Sequence, residues 1–472
     1  MRITPTAGAG RVLLPCVLVA ILLTLFMPCA PRATAAPDST GREVTFTGGA
    51  GLTLHGTVIS PAATNSDTPG IVLVGGSGPG PREEYRREAE AFAAAGITVL
   101  IYDKRTDGYS RTHRDFGLLA DDALGAVRYL RDQPGVRRDM VGLWGFSEGG
   151  WVAPLAASRS DDIAFLITLG ASGYDPLRTQ TWYLANRLRH RGDRSALIDA
   201  LAGPAARLLA GTGLFAAADF DPLPVLHRVH VPILGLWGDH DVQEPPVESA
   251  AIFQRSLTAD PSVTLRFLTA ASHNGRSTVT GFDRVGPTYD RPIPPGDFAP
   301  GYLDTMTDWL HRVAAGTPPE SSAAPAPAQP TASRDPGRDP WTSPGIQAAV
   351  IILLLVAFLA YLPISRTGKR IRGTRPLALF GLTSVLGTIA YLLWIYATGG
   401  NSPGPIVLAR PLPWLVLQLL AVGTVVALAL TLYNTVRSRA ALTAIHRRGL
   451  ALLIPAGFVW LAWAPTWGLL FR

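Results

Sequence analysis

The sequence predicts an α/β domain, a doubly wound and mostly parallel sheet, followed by an all-α membrane region. Three observations predict it. Short, nearly continuous apolar runs alternate with helix-like stretches through the first two thirds of the chain. A Gly-x-Ser-x-Gly pentapeptide follows directly on one of those runs, in "VGLWGFSEGGW", residues 141–151. The last part of the chain holds four apolar stretches, each near the ~20 residues that cross a hydrocarbon core.

Residues 1–36 read as a secretion signal or an uncleaved anchor. Arg2 and Arg11 supply the positive end, "VLLPCVLVAILLTLF" the apolar region and "ATA" the small residues before a cleavage point at Ala36. Cys16 and Cys29 both lie here, so no disulfide framework exists beyond it. "LFMPCA" lacks the small residues expected before a lipidated cysteine.

Residues 37–315 form the predicted globular domain. "VTFTGGAGLTLHGTVISP" alternates around a Gly-rich turn and reads as a β-hairpin. The following strands are "GIVLVGG" (70–76), "ITVLIYD" (97–103), "MVGLWG" (140–145), "IAFLITLG" (163–170), "VPILGLWG" (231–238) and "VTLRFLT" (263–269). Runs this apolar suit strands covered on both faces. "REEYRREAEAFAAAG", "DFGLLADDALGAVRYLRDQPG" and "EGGWVAPLAASR" supply helices between them, which argues for a parallel sheet. Residues 174–229 interrupt the rhythm with helical sequence and no strand, as a lid or an extra packing pair of helices would. Residues 316–345 are rich in Pro, Ala and Ser, cannot build a core, and predict an extended linker.

The four apolar stretches are 346–364, 376–398, 413–433 and 449–471. The loop after the first carries Arg366, Lys369, Arg370, Arg372 and Arg375, and the loop after the third carries Arg437, Arg439, Arg447 and Arg448. The loop between them has only Arg410. Basic loops stay cytoplasmic, so the globular domain is expected on the extracytoplasmic side of the cell membrane. The signal-like N-terminus predicts the same side. The net charge of +7, with charged residues only 16 per cent, is thereby read as topology and not as nucleic-acid affinity.

Ser147 is the candidate nucleophile. A strand before it and a helix after it put the serine on a sharp turn, where side chains at Gly145 and Gly149 would collide with neighbouring backbone. A hydroxyl needs a base, and the base an orienter. In chain order these follow as the acid and then the histidine, each after a later strand. "GDHD" follows strand 231–238 and "ASHNG" follows strand 263–269, which gives Asp241 and His273. Asp239 competes for the acid; the Gly238-x-x-Asp241 turn favours Asp241. His240 points elsewhere on this reading, and His227 and His230 precede the strand.

Developing charge on a carbonyl oxygen needs two pre-aimed N–H groups. Glu148, after the nucleophile, offers one, and Ser77 in "VGGSGPGP" offers the other, with Gly76 setting the turn. That glycine loop has no Lys at phosphate-loop spacing, so no nucleotide cofactor is expected. No ligand spacing implies a metal.

The stretch "IVLVGGSGPGPREEYRREAEAFAAAGITVLIYDKR", with "GFSEGG", "GDHD" and "SHNG", resembles the α/β-hydrolase superfamily over residues 42–315. It is most similar to bacterial dienelactone-hydrolase-like and prolyl-oligopeptidase-like esterases and acyl hydrolases. The resemblance implies an eight-stranded sheet and a triad of Ser147, Asp241 and His273. Two positions depart from it: Gly75 stands where many relatives carry His, and "TDGYS" where many carry a Gly-rich turn.

The expected function is a membrane-tethered serine hydrolase for an ester, thioester or amide of a small or lipid-like acyl substrate. An exopeptidase is the first alternative, with Glu83, Glu84 or Glu148 as the group that grips a peptide amine. Glu148 also suits a solvated carboxylate at a helix start. A non-catalytic sensor coupled to the spans is the second alternative. The spans contain almost no ionisable residue, which favours an anchor over a proton relay. Gly381, Ser384, Gly387 and Gly423 suit close helix packing.

Overall fold

The computed structural model describes residues 41–62, 67–110, 112–259, 262–282, 296–337, 339–365, 371–437 and 442–470. The signal segment and the basic residues Arg366, Lys369, Arg370 and Arg439 lie outside the described residues.

Nine strands form one sheet: β1 (Arg42–Thr47), β2 (Thr53–Ile59), β3 (Thr68–Val74), β4 (Thr98–Tyr102), β5 (Val136–Phe146), β6 (Leu166–Leu169), β7 (Ile233–Gly238), β8 (Val263–Leu268) and β9 (Ser322–Ala323). Their order is β1-β2-β4-β3-β5-β6-β7-β8-β9. β1 and β2 form an antiparallel hairpin, β2 joins β4 antiparallel, and every later pairing is parallel. The resemblance implied eight strands; the ninth is two residues of the Pro/Ala-rich segment. Ser322 and Ala323 pair with Thr264 and Leu265 and finish the β8 edge.

Side chains alternate across the pleat. On β3, Val72 and Val74 enter one core and Ile71 and Leu73 the other. Helices α1 (Arg86–Ala94), α2 (Phe116–Arg131) and α3 (Gly149–Ala157) cover the two faces. Phe92 of α1 packs with Ile71 and Leu73, whereas Leu130 of α2 and Val152 of α3 pack with Val72 and Val74. Two buried faces explain why the strands read as unbroken apolar runs.

The insertion between β6 and β7 opens with α4 (Pro176–His190). Pro176 takes the first helical position, and Asp175 caps it by accepting the Arg178 N–H at 2.8 Å. Shorter helical turns follow over 197–211.

Among the described residues, four further helices are long and apolar enough to cross a membrane: α5 (Pro344–Ile364), α6 (Thr374–Ala397), α7 (Leu412–Arg437) and α8 (Ala444–Thr466). Ile352, Val356 and Leu359 on α5, and Leu419, Val422 and Val426 on α7, are exposed, as lipid-facing residues would be. Inside the bundle the Trp460 indole N–H donates to Ser384 Oγ at 2.9 Å.

The insertion docks on one end of this bundle. Leu188, Leu197, Ile198 and Leu201 share an apolar cluster with Tyr391, Leu392, Ile395 and Leu469. Tyr396 Oη donates to Leu201 O at 2.7 Å, and Arg194 N donates to Ala409 O at 2.8 Å. Residues 329–334 are tied down by hydrogen bonds. Gln329 and Ser333 bond Glu248, and the Trp182 indole N–H donates to Thr331 O at 3.0 Å. Arg372, Arg375, Arg437, Arg447 and Arg448 lie towards the helix ends opposite to the docked one.

Candidate active site

β5 ends at Phe146, and the chain then turns straight into α3 with Ser147 between them. Ser147 has φ +52°, a left-handed conformation that a side chain tolerates only when its surroundings hold it. Here they do. Ser147 N donates to Leu169 O, at the end of β6, at 3.0 Å, and Gly150 N donates to Ser147 O at 2.7 Å. The flanking glycines are required by close approach. A methyl group at Gly145 would lie 2.2 Å from Gly149 O, and one at Gly149 2.3 Å from Val74 O. No rotamer relieves a clash between Cβ and a backbone oxygen.

The acid and the histidine meet at the ends of β7 and β8. Gly238 lets the two turns touch: a methyl group there would lie 2.2 Å from Ala271 O. Asp241 N donates to Gly238 O at 3.1 Å, which closes the turn. Asp241 Oδ1 accepts the N–H groups of Gln243 and Glu244 at 2.8 and 3.0 Å. Its Oδ2 accepts from His273 Nδ1 at 2.8 Å, and both side chains are buried. Bonding at Nδ1 fixes the tautomer and leaves Nε2 to exchange a proton. Asp239 does something else: its Oδ1 meets His240 Nδ1 at 2.6 Å and accepts from Ala271 N at 3.2 Å.

The His273 ring packs against Gly170, after β6, and against Phe146, the residue before Ser147. A methyl group on Gly170, the residue after β6, would lie 2.8 Å from the ring. The Phe146 ring centroid is 5.1 Å from that of His273. Ser147, Asp241 and His273 thus come from three strand ends to one edge of the sheet.

The loop after β3 lies against the same turn. A methyl group on Gly76 would approach Ser147 Cβ to 3.4 Å. Gly76 N donates to Tyr85 Oη at 2.8 Å and Gly78 N donates to Tyr109 Oη at 2.9 Å. Ser77, exposed, lies between them. Glu148 is the N-cap of α3, at the end where helix N–H groups have no intrahelical partner.

The Glu148 side chain is not the solvated carboxylate that its place at a helix start suggests. It is 1 % exposed. Its Oε1 accepts from Lys104 Nζ at 2.7 Å and Tyr109 Oη at 2.8 Å, and its Oε2 from Arg114 at 3.0 Å. Burial pushes this carboxyl up, but the Lys104 and Arg114 charges outweigh burial and hold it below the ordinary range. Lys104, Arg114, Tyr85 and Tyr109 were not singled out from sequence. One signal was available: Lys104 and Lys369 are the only lysines in an arginine-rich chain.

Glu244 was also missed. It is 5 % exposed, and its Oε2 has no hydrogen-bond partner. Burial, and then the neighbouring Asp241 charge, push its carboxyl well above the usual value of 4.5. The native state therefore holds a proton that the unfolded chain releases, so stability falls as pH rises above 4.5. Glu244→Gln, which cannot ionise, is expected to match the parent below that pH and to exceed its thermal stability increasingly above it. Unfolding in detergent across the pH range checks this; a constant difference between the two proteins would contradict it.

No family model matches the chain. Over 136 residues it is 31% identical to thiohydrolase aneE of Aspergillus aculeatus, covering 28% of this chain and 42% of that protein. The chain thus spans less than half the length of that curated relative. A solved esterase of Pyrococcus furiosus matches at 18% identity and a TM-score of 0.40, over 60% of this chain and 98% of that one. Dienelactone hydrolase from Anabaena variabilis matches at 20% identity and a TM-score of 0.33, over 59% and 99%. Sheet order, the serine turn on β5 and the acid and histidine after β7 and β8 make the domain that starts at β1 an α/β hydrolase in fold, joined to four apolar helices.

Proposed function

We propose that this chain is a membrane-anchored serine hydrolase that cleaves an ester or thioester of a small or lipid-like acyl substrate. The observation that carries the reading is the buried His273–Asp241 pair, packed on Phe146 next to a serine held at φ +52°. Ser147 Oγ attacks the acyl carbonyl while His273 Nε2 takes its proton. Asp241 orients the imidazole and stabilises the imidazolium. The N–H groups of Ser77 and Glu148 hold the oxyanion. His273 returns the proton to the leaving alcohol or thiol. Water then attacks the acyl-serine, giving its proton to His273, and the acid leaves as Ser147 recovers its hydrogen.

Ester chemistry ranks above exopeptidase chemistry for a specific reason. A peptidase needs a carboxylate aimed at the substrate amine, and Glu148 is spent on Lys104, Arg114 and Tyr109. Glu83 is paired with Arg86, and burial pushes the Glu84 carboxyl up, which disfavours the charge that an amine would need; Glu84 is the one candidate left for the exopeptidase alternative. The basic loops and the signal-like N-terminus support an extracytoplasmic domain. The insertion docked on the apolar helices supports substrates drawn from the membrane surface.

The test is hydrolysis of acyl esters and thioesters from two to sixteen carbons by the full chain in detergent. Turnover is expected, and Ser147→Ala abolishes it with the thermal midpoint unchanged. Undiminished turnover in Ser147→Ala would remove the assignment. No turnover on any substrate, esters and peptides alike, would favour a binding module.

A further inference from the structure

We propose that Lys104 is a positioning residue that aims the Ser77 N–H into the oxyanion hole by gripping the carbonyl of the same peptide unit. The inference rests on the serine-hydrolase reading of Ser147 and deepens it.

It begins from the planarity of the amide. In a trans peptide the C=O of one residue and the N–H of the next point in opposite directions. The described residues contain no cis peptide bond. Lys104 Nζ donates to Gly76 O. Whatever holds Gly76 O on one side of the loop therefore sends the Ser77 N–H to the other. Gly76 itself packs on the Phe146 ring and on Ser147 Cβ.

The neighbouring amides are fixed by the same group of side chains. The Gly75–Gly76 peptide is held at both ends: Gly75 O accepts from Lys104 Nζ at 3.3 Å, and Gly76 N donates to Tyr85 Oη at 2.8 Å. Gly78 N donates to Tyr109 Oη at 2.9 Å. The Gly76–Ser77 peptide joins the same scaffold through its carbonyl, which accepts from Lys104 Nζ.

Lys104 also joins the two halves of the proposed hole. Its third acceptor is Glu148 Oε1 at 2.7 Å, on the residue whose backbone N–H is the other proposed donor. An ammonium has three donors, and three acceptors meet it here. The ion pair is buried: the Lys104 side chain is 10 % exposed and the Glu148 side chain 1 %. A planar guanidinium has a fork geometry that suits a carboxylate better than two carbonyls and a carboxylate on separate loops. The cation has a second effect. It polarises the Gly76–Ser77 amide and makes its N–H a stronger donor to a developing oxyanion.

The experiment uses the full chain in detergent. Lys104→Met is expected to lower kcat by about 10²–10³-fold, the scale of losing one oxyanion donor. Affinity for an alkyl trifluoromethyl ketone, which forms an oxyanion adduct on the serine, should fall in parallel. KM should stay within about threefold, since ground-state binding does not use the hole. Lys104→Arg, which restores a cation, should recover about tenfold of the loss. Lys104→Met leaves the Glu148 carboxylate buried without its cation. The measurements are therefore repeated with Lys104→Met and Glu148→Gln combined, which removes both charges. Unchanged kcat and adduct affinity in a folded variant would overturn the proposal. So would a fall in kcat with undiminished adduct affinity, or failure of both variants to fold, since either assigns Lys104 a structural role alone. Failure of the parent protein to form a covalent adduct at Ser147 would instead remove the underlying hydrolase reading.

Discussion

Replacing His273 with alanine is expected to lower turnover by about 10⁶-fold while leaving the chain folded. Among the described residues, its neighbours Asp241 and His240 are committed elsewhere. Asp241 is buried, accepts two backbone N–H groups and faces the histidine at 2.8 Å, so it can orient and stabilise but not reach out as a base. His240 is held by Asp239 at 2.6 Å. Asp241→Asn should cost less, about 10⁴-fold, because the imidazole keeps its place but adopts the wrong tautomer. Steady-state turnover of the best ester substrate, with thermal unfolding as a folding control, measures both. A folded His273→Ala protein within about tenfold of the parent would show that another base serves Ser147.

Removing the four apolar helices is expected to disable the globular domain, though none of them supplies a proposed catalytic residue. Leu188, Leu197, Ile198 and Leu201 of the insertion are 0, 0, 6 and 1 % exposed and share a cluster with the bundle. Fully burying a Leu or Ile contributes about 1.5–3 kcal/mol. Uncovering several approaches the roughly 5–15 kcal/mol by which a domain is stable. A chain ending at residue 343 should therefore aggregate without detergent, and in detergent its 174–229 segment should be cut by protease far sooner than in the full chain. A monodisperse, detergent-free fragment with the thermal midpoint of the full chain would contradict the docking. The consequence for assays is direct: activity belongs to the whole chain.

The serine turn was legible because close packing restricts it so tightly. Gly145 and Gly149 touch backbone oxygens, and that requirement surfaces as a pentapeptide after an apolar run. Asp241 and His273 were legible as polar residues just beyond apolar strands. What stayed hidden depends on partners far along the chain. Glu148 caps the N-terminus of α3 and by local rules belongs in water; Lys104, a neighbour 44 residues away in sequence, draws it inside. The "TDGYS" departure hid Tyr109, whose hydroxyl ties Gly78 to Glu148. The insertion displayed helical sequence, but the surface that covers it starts at Pro344, beyond the linker. Pro and Ala mark residues 316–345 as coreless, yet composition is silent on whether an extended segment adds to a sheet edge, as Ser322 and Ala323 do.

The account turns on one group, the Ser147 hydroxyl. The most direct measurement treats the full chain in detergent with a fluorophosphonate and maps the modified residue by mass spectrometry. The account predicts one adduct, on Ser147, absent from Ser147→Ala and strongly slowed in His273→Ala. A folded protein that takes no label, or takes it on another residue, would contradict it.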